Sequence, residues 1–461
     1  MCKVTAVCWS PNNRRLAIVT VDKVVHLFDE NGERRDKFST KPADKTNKSY
    51  MITGMSFSPD SSKLAVAQSD NIVFVYKLGL EWGDKKTICN KFLQTSSVTA
   101  LTWPKAHPNE VAFGLQDGKV KIGQLRNNKA ATLYTTDSFT VSMCSSPDGH
   151  ALLSGHLDGS IYRFHFGEGG QGPAQGKFAV HSAVPYALSW GASVLAAGND
   201  RKVSFYDTQG NLQRTFDYDG EEKVKEFSCS TFNPSGEAAV VGNFNSFYTY
   251  TLNTKTGDWD EAAVKTIENL YSVTALAWKQ DGSRLAMGNL TGVVDLYDAC
   301  IKRNRYKGKF EFTYVSLSQV IVKNLSTGTR IVLKSGFNCE ITKINIFQDR
   351  FLVANTTDTI LVGDLQTCKL SEIPWNGGGS EKFIFDYPAV CMIYNAGELT
   401  LVEYGSNEPL GSCRTEYMSL HLISVRINER PPVVAPGMGA MADAEMDNKK
   451  VAYLLDIQTI R

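Results

Sequence analysis

Residues 273–298 read VTALAWKQDGSRLAMGNLTGVVDLYD, and they repeat the pattern of residues 4–29, VTAVCWSPNNRRLAIVTVDKVVHLFD. Each stretch has an apolar run ending in tryptophan, a polar turn, a run of small and apolar residues, a second polar turn, and a run ending in an aromatic residue and Asp. Short runs of this kind, separated by Asn, Asp, Gly and Pro, are typical of β-strands joined by tight turns.

The same unit occurs seven times along the chain. A period of about 40–45 residues, with several short strands in each unit, is typical of the blades of a β-propeller. The sequence therefore predicts an all-β protein in which residues 1–312 form a seven-bladed WD40-type β-propeller. The last residues of the first run in the seven units are Trp9, Phe57, Trp103, Ser146, Trp190, Phe232 and Trp278.

Large rings recur at the end of the first run, and we expect them to be structural. Each blade of a propeller is covered on both faces, so a ring at this position fills the space between two neighbouring blades and buries a large apolar area. The predicted blade anchors are Trp9, Phe57, Trp103, Trp190, Phe232 and Trp278.

The pattern changes after residue 312. Short apolar runs and polar turns continue without the tryptophan, which predicts that residues 313–461 form part of a second β-propeller. Residues 430–448, RPPVVAPGMGAMADAEMDN, are rich in Pro, Gly and Met and are expected to be a flexible insert. The first strand begins at Val4, so we expect either that residues 301–312 complete the seventh blade or that the amino terminus is truncated.

Composition and motifs argue against several classes of function. The net charge of +1 disfavours a broad nucleic-acid interface, which requires a strongly basic face. The ten cysteines form no C-x-x-C pair, and no H-E-x-x-H motif, P-loop or G-x-S-x-G elbow is present. We therefore predict no metal, no cofactor and no catalytic residue. No membrane span is expected, and the basic run at 302–309 is compatible either with a solvated strand or with contact to acidic lipid or an acidic partner.

Exposed loops beside rigid strands are where binding residues concentrate. The predicted partner-contact residues are Arg34, Arg35, Trp82, Lys85 and Lys86. Trp82 is equally well explained as a residue that fills the edge of a strand.

Several stretches resemble one family more closely than they resemble WD repeats in general. They include SYMITGMSFSPDSSKLAVAQSDNIVFVYK at 49–77, EWGDKKTICNKFLQTSSVTALTWP at 81–104, SQVIVKNLSTGTRIVLKS at 318–335 and NAGELTLVEYGSNEPLGS at 395–412. These resemble the amino-terminal region of the intraflagellar transport protein 172 family. The resemblance covers nearly the whole chain, and it includes irregular loops such as EWGDKK that a propeller does not require.

The resemblance implies a non-enzymatic scaffold, a peripheral subunit of intraflagellar transport complex B that is required for cargo transport along the axoneme and for assembly of cilia and flagella. It implies other complex B subunits as partners, including a calponin-homology-containing subunit. It places the protein at the axoneme and ciliary base, with a cytoplasmic pool. It also implies two tandem propellers followed by a helical solenoid, so we expect the chain to be partial.

Two other functions remain open at this point. A propeller adaptor of a vesicle coat or a ubiquitin ligase shares the fold, and fold alone does not separate such functions. A propeller hydrolase would require carboxylates that converge at the mouth of the central channel.

Overall fold

The computed structural model describes residues 3–44, 46, 49–167, 172–253, 256–267, 270–376, 379–416, 425–427 and 451–461. Every regular element in these ranges is a β-strand, which confirms the predicted all-β class. The chain divides into two compact units, Met1–Arg303 and Asn304–Arg461. The insert expected at residues 430–448 lies outside the described residues.

The described part of the first unit contains seven antiparallel sheets, and each sheet is built from strands that are consecutive in sequence. Sheets 1 to 4 contain β1 Val4–Trp9, β2 Leu16–Thr20, β3 Val24–Phe28 and β4 Arg34–Ser39; β5 Ile52–Phe57, β6 Lys63–Gln68, β7 Ile72–Lys77 and β8 Thr87–Leu93; β9 Val98–Thr102, β10 Glu110–Leu115, β11 Lys119–Gln124 and β12 Lys129–Thr135; and β13 Thr140–Ser145, β14 Ala151–His156, β15 Ser160–His165 and β16 Ala174–Val180. Sheets 5 to 7 contain β17 Ala187–Trp190, β18 Val194–Ala197, β19 Lys202–Tyr206 and β20 Leu212–Asp217; β21 Cys229–Phe232, β22 Ala238–Gly242, β23 Ser246–Asn253 and β24 Asp258–Thr266; and β25 Val273–Trp278, β26 Arg284–Asn289 and β27 Val294–Asp298.

The first strands of the sheets form a closed ring. They contact one another in sequence order from β1 through β5, β9, β13, β17 and β21 to β25, and β25 contacts β1. Radially arranged four-stranded antiparallel sheets around a common centre define a β-propeller. Each first strand is therefore an inner strand, and each fourth strand is an outer strand.

In sheets 2 and 4 the turn between the first and second strands follows from its Ser-Pro-Asp sequence, at 58–60 and 146–148. In sheet 2, Ser58 Oγ accepts a hydrogen bond from Lys63 N at 2.9 Å, and Asp60 Oδ1 accepts one from Ser62 N at 3.1 Å. Burial alone would raise the pKa of Asp60, but hydrogen bonds from Ser58 and Ser62 lower it to about 2. The carboxylate is therefore ionised at neutral pH and fixes the turn.

Each predicted anchor lies in the apolar cluster that joins its own sheet to the preceding sheet. Trp103 of sheet 3 packs with Ala65 and Val73 of sheet 2, and Trp278 of sheet 7 packs with Val240 of sheet 6. Trp9 of sheet 1 packs with residues of sheet 7, so the ring is apolar at its closing contact as well. Four anchors are buried, namely Trp9, Phe57, Trp103 and Trp278, whereas Trp190 and Phe232 are half-buried.

A buried lysine reinforces the contact between sheets 7 and 1. The Lys279 side chain is 2% exposed; its Nζ lies 3.0 Å from Asp281 Oδ2 and 3.1 Å from Glu30 Oε2. The same Nζ lies 5.8 Å from the centre of the Trp9 ring, and Asp281 N donates to Asn13 Oδ1 at 3.2 Å. Because a buried charge is costly unless it is paired, this arrangement holds the two ends of the ring in one geometry.

The second unit begins earlier than the sequence suggested. The neighbour of β28 (Lys302–Tyr306) is β29 (Phe310–Tyr314), not β27, so the expectation that residues 301–312 complete the seventh sheet is not met. A boundary after Phe312 would also cut β29, which pairs with β30.

The described part of the second unit contains three four-stranded antiparallel sheets and one two-stranded sheet. Its identity as part of a second propeller stays a prediction. After β28 and β29 its strands are β30 Gln319–Asn324, β31 Arg330–Lys334, β32 Ile341–Phe347, β33 Phe351–Thr356, β34 Thr359–Asp364, β35 Lys369–Pro374, β36 Lys382–Ile384, β37 Val390–Asn395, β38 Glu398–Glu403, β39 Pro409–Arg414, β40 Val425–Ile427 and β41 Val451–Tyr453.

Trp278→Ala tests the role of the anchors. The change leaves a cavity between sheets 6 and 7, and we expect it to lower the free energy of unfolding by about 3–5 kcal/mol in urea melts. The control Trp82→Ala alters a half-buried tryptophan outside any strand and should cost less than half as much. A loss below about 0.5 kcal/mol for Trp278→Ala would show that the ring does not stabilise the contact between sheets.

Candidate protein-interaction surface

The loop that carries Trp82 is held firmly against sheet 1. Arg15 Nη2 donates to Gly79 O at 3.1 Å and to Leu80 O at 3.0 Å, and the Arg15 guanidinium lies 5.2 Å from the centre of the Trp82 ring. Trp82 is half-buried against the apolar cluster between sheets 1 and 2. This position matches the second interpretation of Trp82, a residue that fills the edge of a strand. Leu80, in contrast, is 85% exposed.

The predicted basic contact residues differ in what they offer to a partner. Lys85 is exposed on the same loop as Trp82. The Lys86 side chain is only 6% exposed and pairs with Asp36 of β4, so its charge serves the contact between sheets 1 and 2. Arg35 pairs at 2.7 Å with both Asp29 and Glu33 in its own hairpin.

Arg34 lies apart from the Trp82 loop. It is exposed at the start of β4, beside a cleft between sheets 1 and 7. The predicted contact residues therefore do not form one site. They divide between the loop at 78–86 and the opposite side of sheet 1.

A larger apolar surface surrounds the central opening on one side of the ring. It consists of residues within two positions of the start of a first strand or the end of a second strand, and we call it the inner rim. These positions adjoin because each pair of strands is an antiparallel hairpin; Leu157 N, for example, donates to Phe139 O at 2.9 Å. Eight large apolar side chains of the inner rim are between 37% and 56% exposed: Val21, Met51, Phe139, Leu157, Tyr186, Phe244, Tyr271 and Leu290.

Exposed apolar side chains on this scale are typical of protein-interaction sites. Single exposed apolar side chains are common on protein surfaces, but here exposed apolar side chains recur at equivalent positions in several sheets around one centre. Sequence analysis missed the inner rim because the exposure of these positions depends on how the strands assemble into the ring. The signal that could have found it is a large apolar residue immediately before a first strand, as in Met51, Phe139 and Tyr186.

The acidic residues on the same side of the ring cap turns. Asp22 Oδ1 accepts from Val24 N at 3.1 Å, and Asp158 Oδ1 accepts from Ser160 N at 3.0 Å. Burial alone would raise the pKa of Asp158, but hydrogen bonds from the Ser160 side chain and backbone lower it. These carboxylates are committed to backbone groups, as the sequence suggested for their turns. In the described part of the chain, no group of three His, Cys, Asp or Glu side chains is arranged to hold a metal ion.

His156 has a structural environment. It is fully buried, its Nε2 lies 2.7 Å from Ser154 Oγ, and its Nδ1 lies 3.0 Å from Ser138 O and 3.1 Å from Thr136 Oγ1. Burial lowers the pKa of His156, with the Ser138 carbonyl and Asp158 opposing that effect. The imidazole is therefore neutral at pH 7 and links sheets 3 and 4 through hydrogen bonds.

The basic run at 302–309 spans β28 and the turn to β29. Tyr306 of this run packs its ring 5.3 Å from that of Phe312. Lys309 pairs with Asp349 within the second unit. Over the residues that the structure describes, no helix has the length and apolar character needed to cross a lipid bilayer.

The fold and its repeats define the class of this protein as a WD40-repeat β-propeller. The model of the family described as WD domain, G-beta repeat matches residues 2–29 and 43–77, which contain sheets 1 and 2 except for β4 and β8. Over its full length the chain is similar to the amino-terminal region of intraflagellar transport protein 172 from several species.

The identities are high across distant organisms. The chain is 55% identical to intraflagellar transport protein 172 of Chlamydomonas reinhardtii over 100% of its length. It is 52% identical to the Homo sapiens homolog and 38% identical to intraflagellar transport protein osm-1 of Caenorhabditis elegans, each over 99% of its length. In each case it spans 26% of the relative. These matches confirm the resemblance on which the sequence analysis relied.

The buried histidine predicts a pH dependence of stability. The pKa of His156 is lower in the folded than in the unfolded protein, so the unfolded state binds more protons below about pH 6.5 and stability falls as the pH falls. The loss contributed by this residue is at most about 1.4 kcal/mol per pH unit. We expect His156→Gln to lower the free energy of unfolding at pH 7.5 but to lose less on going to pH 5.5 than the unmodified chain does.

The control for this measurement is Tyr134→Phe, which removes a buried hydroxyl that lies 2.8 Å from Ser154 Oγ, a hydrogen-bond partner of His156, and leaves the histidine in place. It should keep the pH dependence of the unmodified chain in urea melts. An unchanged pH dependence for His156→Gln would contradict the assignment of a neutral buried imidazole.

Proposed function

We propose that the chain is the propeller region of an intraflagellar transport protein 172 and that it acts as a protein-interaction scaffold in intraflagellar transport. The observation that carries this proposal is the identity of 52–55% over the full length of the chain with relatives of that name from an alga to a vertebrate. Similarity over the whole of both units is more specific than a shared propeller fold, which serves many unrelated functions.

The geometry supports a binding role without catalysis. The ring is rigid because each sheet buries its faces against two neighbours, and the inner rim displays apolar side chains around one centre. Rigid presentation lowers the entropy cost of association, and exposed apolar groups supply its driving force. The acidic groups described above cap turns, which supports a non-enzymatic role.

The finer assignment follows the resemblance. The chain would act in a peripheral subunit of transport complex B, which carries cargo along the axoneme and is required to assemble cilia and flagella. Its partners would be other complex B subunits, among them a calponin-homology-containing subunit. The protein would be found at the axoneme and the ciliary base, with a cytoplasmic pool. No specific observation favours the alternative role as an adaptor of a vesicle coat or a ubiquitin ligase.

The test is recovery of transport proteins by the tagged chain from ciliated cells. We expect the chain to recover complex B subunits and to be found in cilia. The variant Phe139→Asp with Leu157→Asp places two charges on the inner rim and should lower that recovery at least about ten-fold, because it disrupts an apolar contact. Thermal unfolding checks that the variant remains folded.

The control Leu212→Asp changes a residue of β20 that is 59% exposed on the outer edge of sheet 5, and it should not alter recovery. Failure of the unmodified chain to recover any transport protein would contradict the proposed function. Normal recovery by the Phe139 and Leu157 variant would show that the inner rim is not the binding surface.

A further inference from the structure

One part of the inner rim lies along three consecutive sheets. The first strands of these sheets adjoin, because β13 of sheet 4 contacts β17 of sheet 5, and β17 contacts β21 of sheet 6. The large apolar side chains of the rim on these sheets are 43–47% exposed, and we call them the apolar arc: Phe139, Leu157, Tyr186 and Phe244. They present an apolar surface along one side of the central opening.

The backbone of the apolar arc is engaged in the ring itself. Leu157 N donates to Phe139 O, and Tyr186 N donates to Val184 O, each at 2.9 Å. Next to Phe244, Asn243 N donates to Ser246 O at 2.9 Å. A partner segment therefore meets side chains here and must satisfy its own backbone groups internally, which a helix does.

The connections between strands that border the apolar arc are acidic. They comprise residues 136–139, 157–159, 181–186, 198–201, 218–228 and 243–245. They contain seven acidic residues, Asp137, Asp158, Asp200, Asp219, Glu221, Glu222 and Glu226, and three basic residues, Arg201, Lys223 and Lys225.

The corresponding connections of the other four sheets have balanced charge. Their sequences contain five acidic and four basic residues: Asp22, Asp44, Asp70, Asp117, Glu268, Lys23, Lys41, Lys45 and Lys48. Although the whole chain has a net charge of +1, negative charge is therefore concentrated beside the apolar arc. This charge favours a basic partner and disfavours an acidic one.

Most of the acidic residues beside the apolar arc are not used by the fold. Asp158 and Asp200 cap turns, as shown by Asp200 Oδ1, which accepts from Lys202 N at 3.3 Å. Four other acidic residues are exposed, and within the described ranges their carboxylates form neither an ion pair nor a hydrogen bond: Asp137, Glu221, Glu222 and Glu226. These carboxylates are available to cations of a partner.

The loop at 218–228, which carries three of these carboxylates, is fixed beside the apolar arc. Val224 and Phe227 anchor it, since they are 1% and 0% exposed. Phe227 N donates to Gly198 O at 3.0 Å, and Lys225 N donates to Asn243 Oδ1 at 3.0 Å. Because Asn243 directly precedes Phe244, the loop lies next to the arc, and a fixed backbone lowers the entropy cost of binding.

We propose that the apolar arc binds an amphipathic helix of a partner protein that carries Lys and Arg beside its apolar face. The helix packs its apolar face on the arc and places its cations near Asp137 and the loop at 218–228. This inference rests on the proposed function, because it names the kind of partner segment that the inner rim takes.

The first experiment measures binding of a fluorescein-labelled peptide, Lys-Leu-Ala-Lys-Leu-Leu-Lys-Lys-Leu-Ala-Lys-Leu-Leu-Lys, to the full chain by fluorescence anisotropy. Its leucines recur at helical spacing, and we expect saturable binding in the micromolar range. Replacing every Lys by Glu, or reordering the same residues so that no apolar face forms, should each weaken binding at least about ten-fold. No binding, or equal binding by the reordered peptide, would overturn the proposal.

The second experiment reverses charge on the protein. Glu221→Lys combined with Glu222→Lys should weaken peptide binding at least about ten-fold, because attraction becomes repulsion. The matched control, Glu81→Lys with Glu408→Lys, reverses two exposed acidic residues outside the arc and should change binding less than about two-fold. Equal binding by the Glu221 and Glu222 variant would overturn the proposal.

The third experiment removes apolar contact without changing charge. Tyr186→Ser combined with Phe244→Ser should also weaken peptide binding at least about ten-fold, with thermal unfolding as the check that the ring is intact. The control Leu212→Ser changes an exposed residue on the outer edge of sheet 5 and should leave binding unchanged. Unchanged binding by the Tyr186 and Phe244 variant would show attraction by charge alone and would overturn the proposal.

Recovery of transport proteins from ciliated cells separates this inference from the proposed function. Recovery by the unmodified chain tests the proposed function independently of the peptide. The Glu221 and Glu222 variant should recover at least about ten-fold less. Normal recovery by that variant would overturn the basic helix as the occupant and leave the role in intraflagellar transport standing.

A second copy of the chain is the competing occupant. Sedimentation of the unmodified chain is expected to show a monomer. A dimer that separates when Phe139→Asp and Leu157→Asp are introduced would show that the apolar arc joins two copies, and it would overturn the proposal.

Discussion

Burial of each sheet against its two neighbours is the constraint on which the first unit depends. A four-stranded sheet of this length cannot hide two apolar faces by itself, so the stable arrangement places sheets radially and fills each space between them with side chains. The second strand of each sheet lies close to the next sheet, and this explains why second strands contain small residues. A Cβ on Gly114 would lie 2.4 Å from Thr140 Cγ2, and one on Gly288 would lie 2.5 Å from Val4 Cγ1.

Closure of the ring and exposure of the inner rim have the same origin. Each sheet is built from consecutive strands, so the last sheet meets the first through side chains, with Trp9 and Lys279 at the contact. The hairpins that form the ring also bring the inner rim to one side, so the binding proposed for this surface needs no element beyond those that stabilise the fold.

Much of the fold could be predicted because its signals are local. Turn residues and alternating strands recur at a regular spacing, and they predicted the seven sheets of the first unit. The structural role of the six anchors stays a prediction. Features that depend on distant neighbours could not be predicted. The pairing of Lys302–Tyr306 with β29, the burial of Lys279 and the pairing of Lys86 with Asp36 are set by residues far away in sequence or by competition between strands. The inner rim could not be predicted either, because the exposure of its side chains is a property of the assembled ring.

A cross-link between the ends of the ring measures the central claim most directly. Asn13 and Asp281 are 268 positions apart in sequence, yet the side chain of one accepts a hydrogen bond from the backbone of the other. The account predicts that the chain carrying Asn13→Cys and Asp281→Cys forms an intramolecular disulfide under mild oxidation, seen by mass spectrometry of the digested protein, while neither single variant does. Absence of that cross-link in a folded, monomeric double variant would contradict a closed ring of sheets.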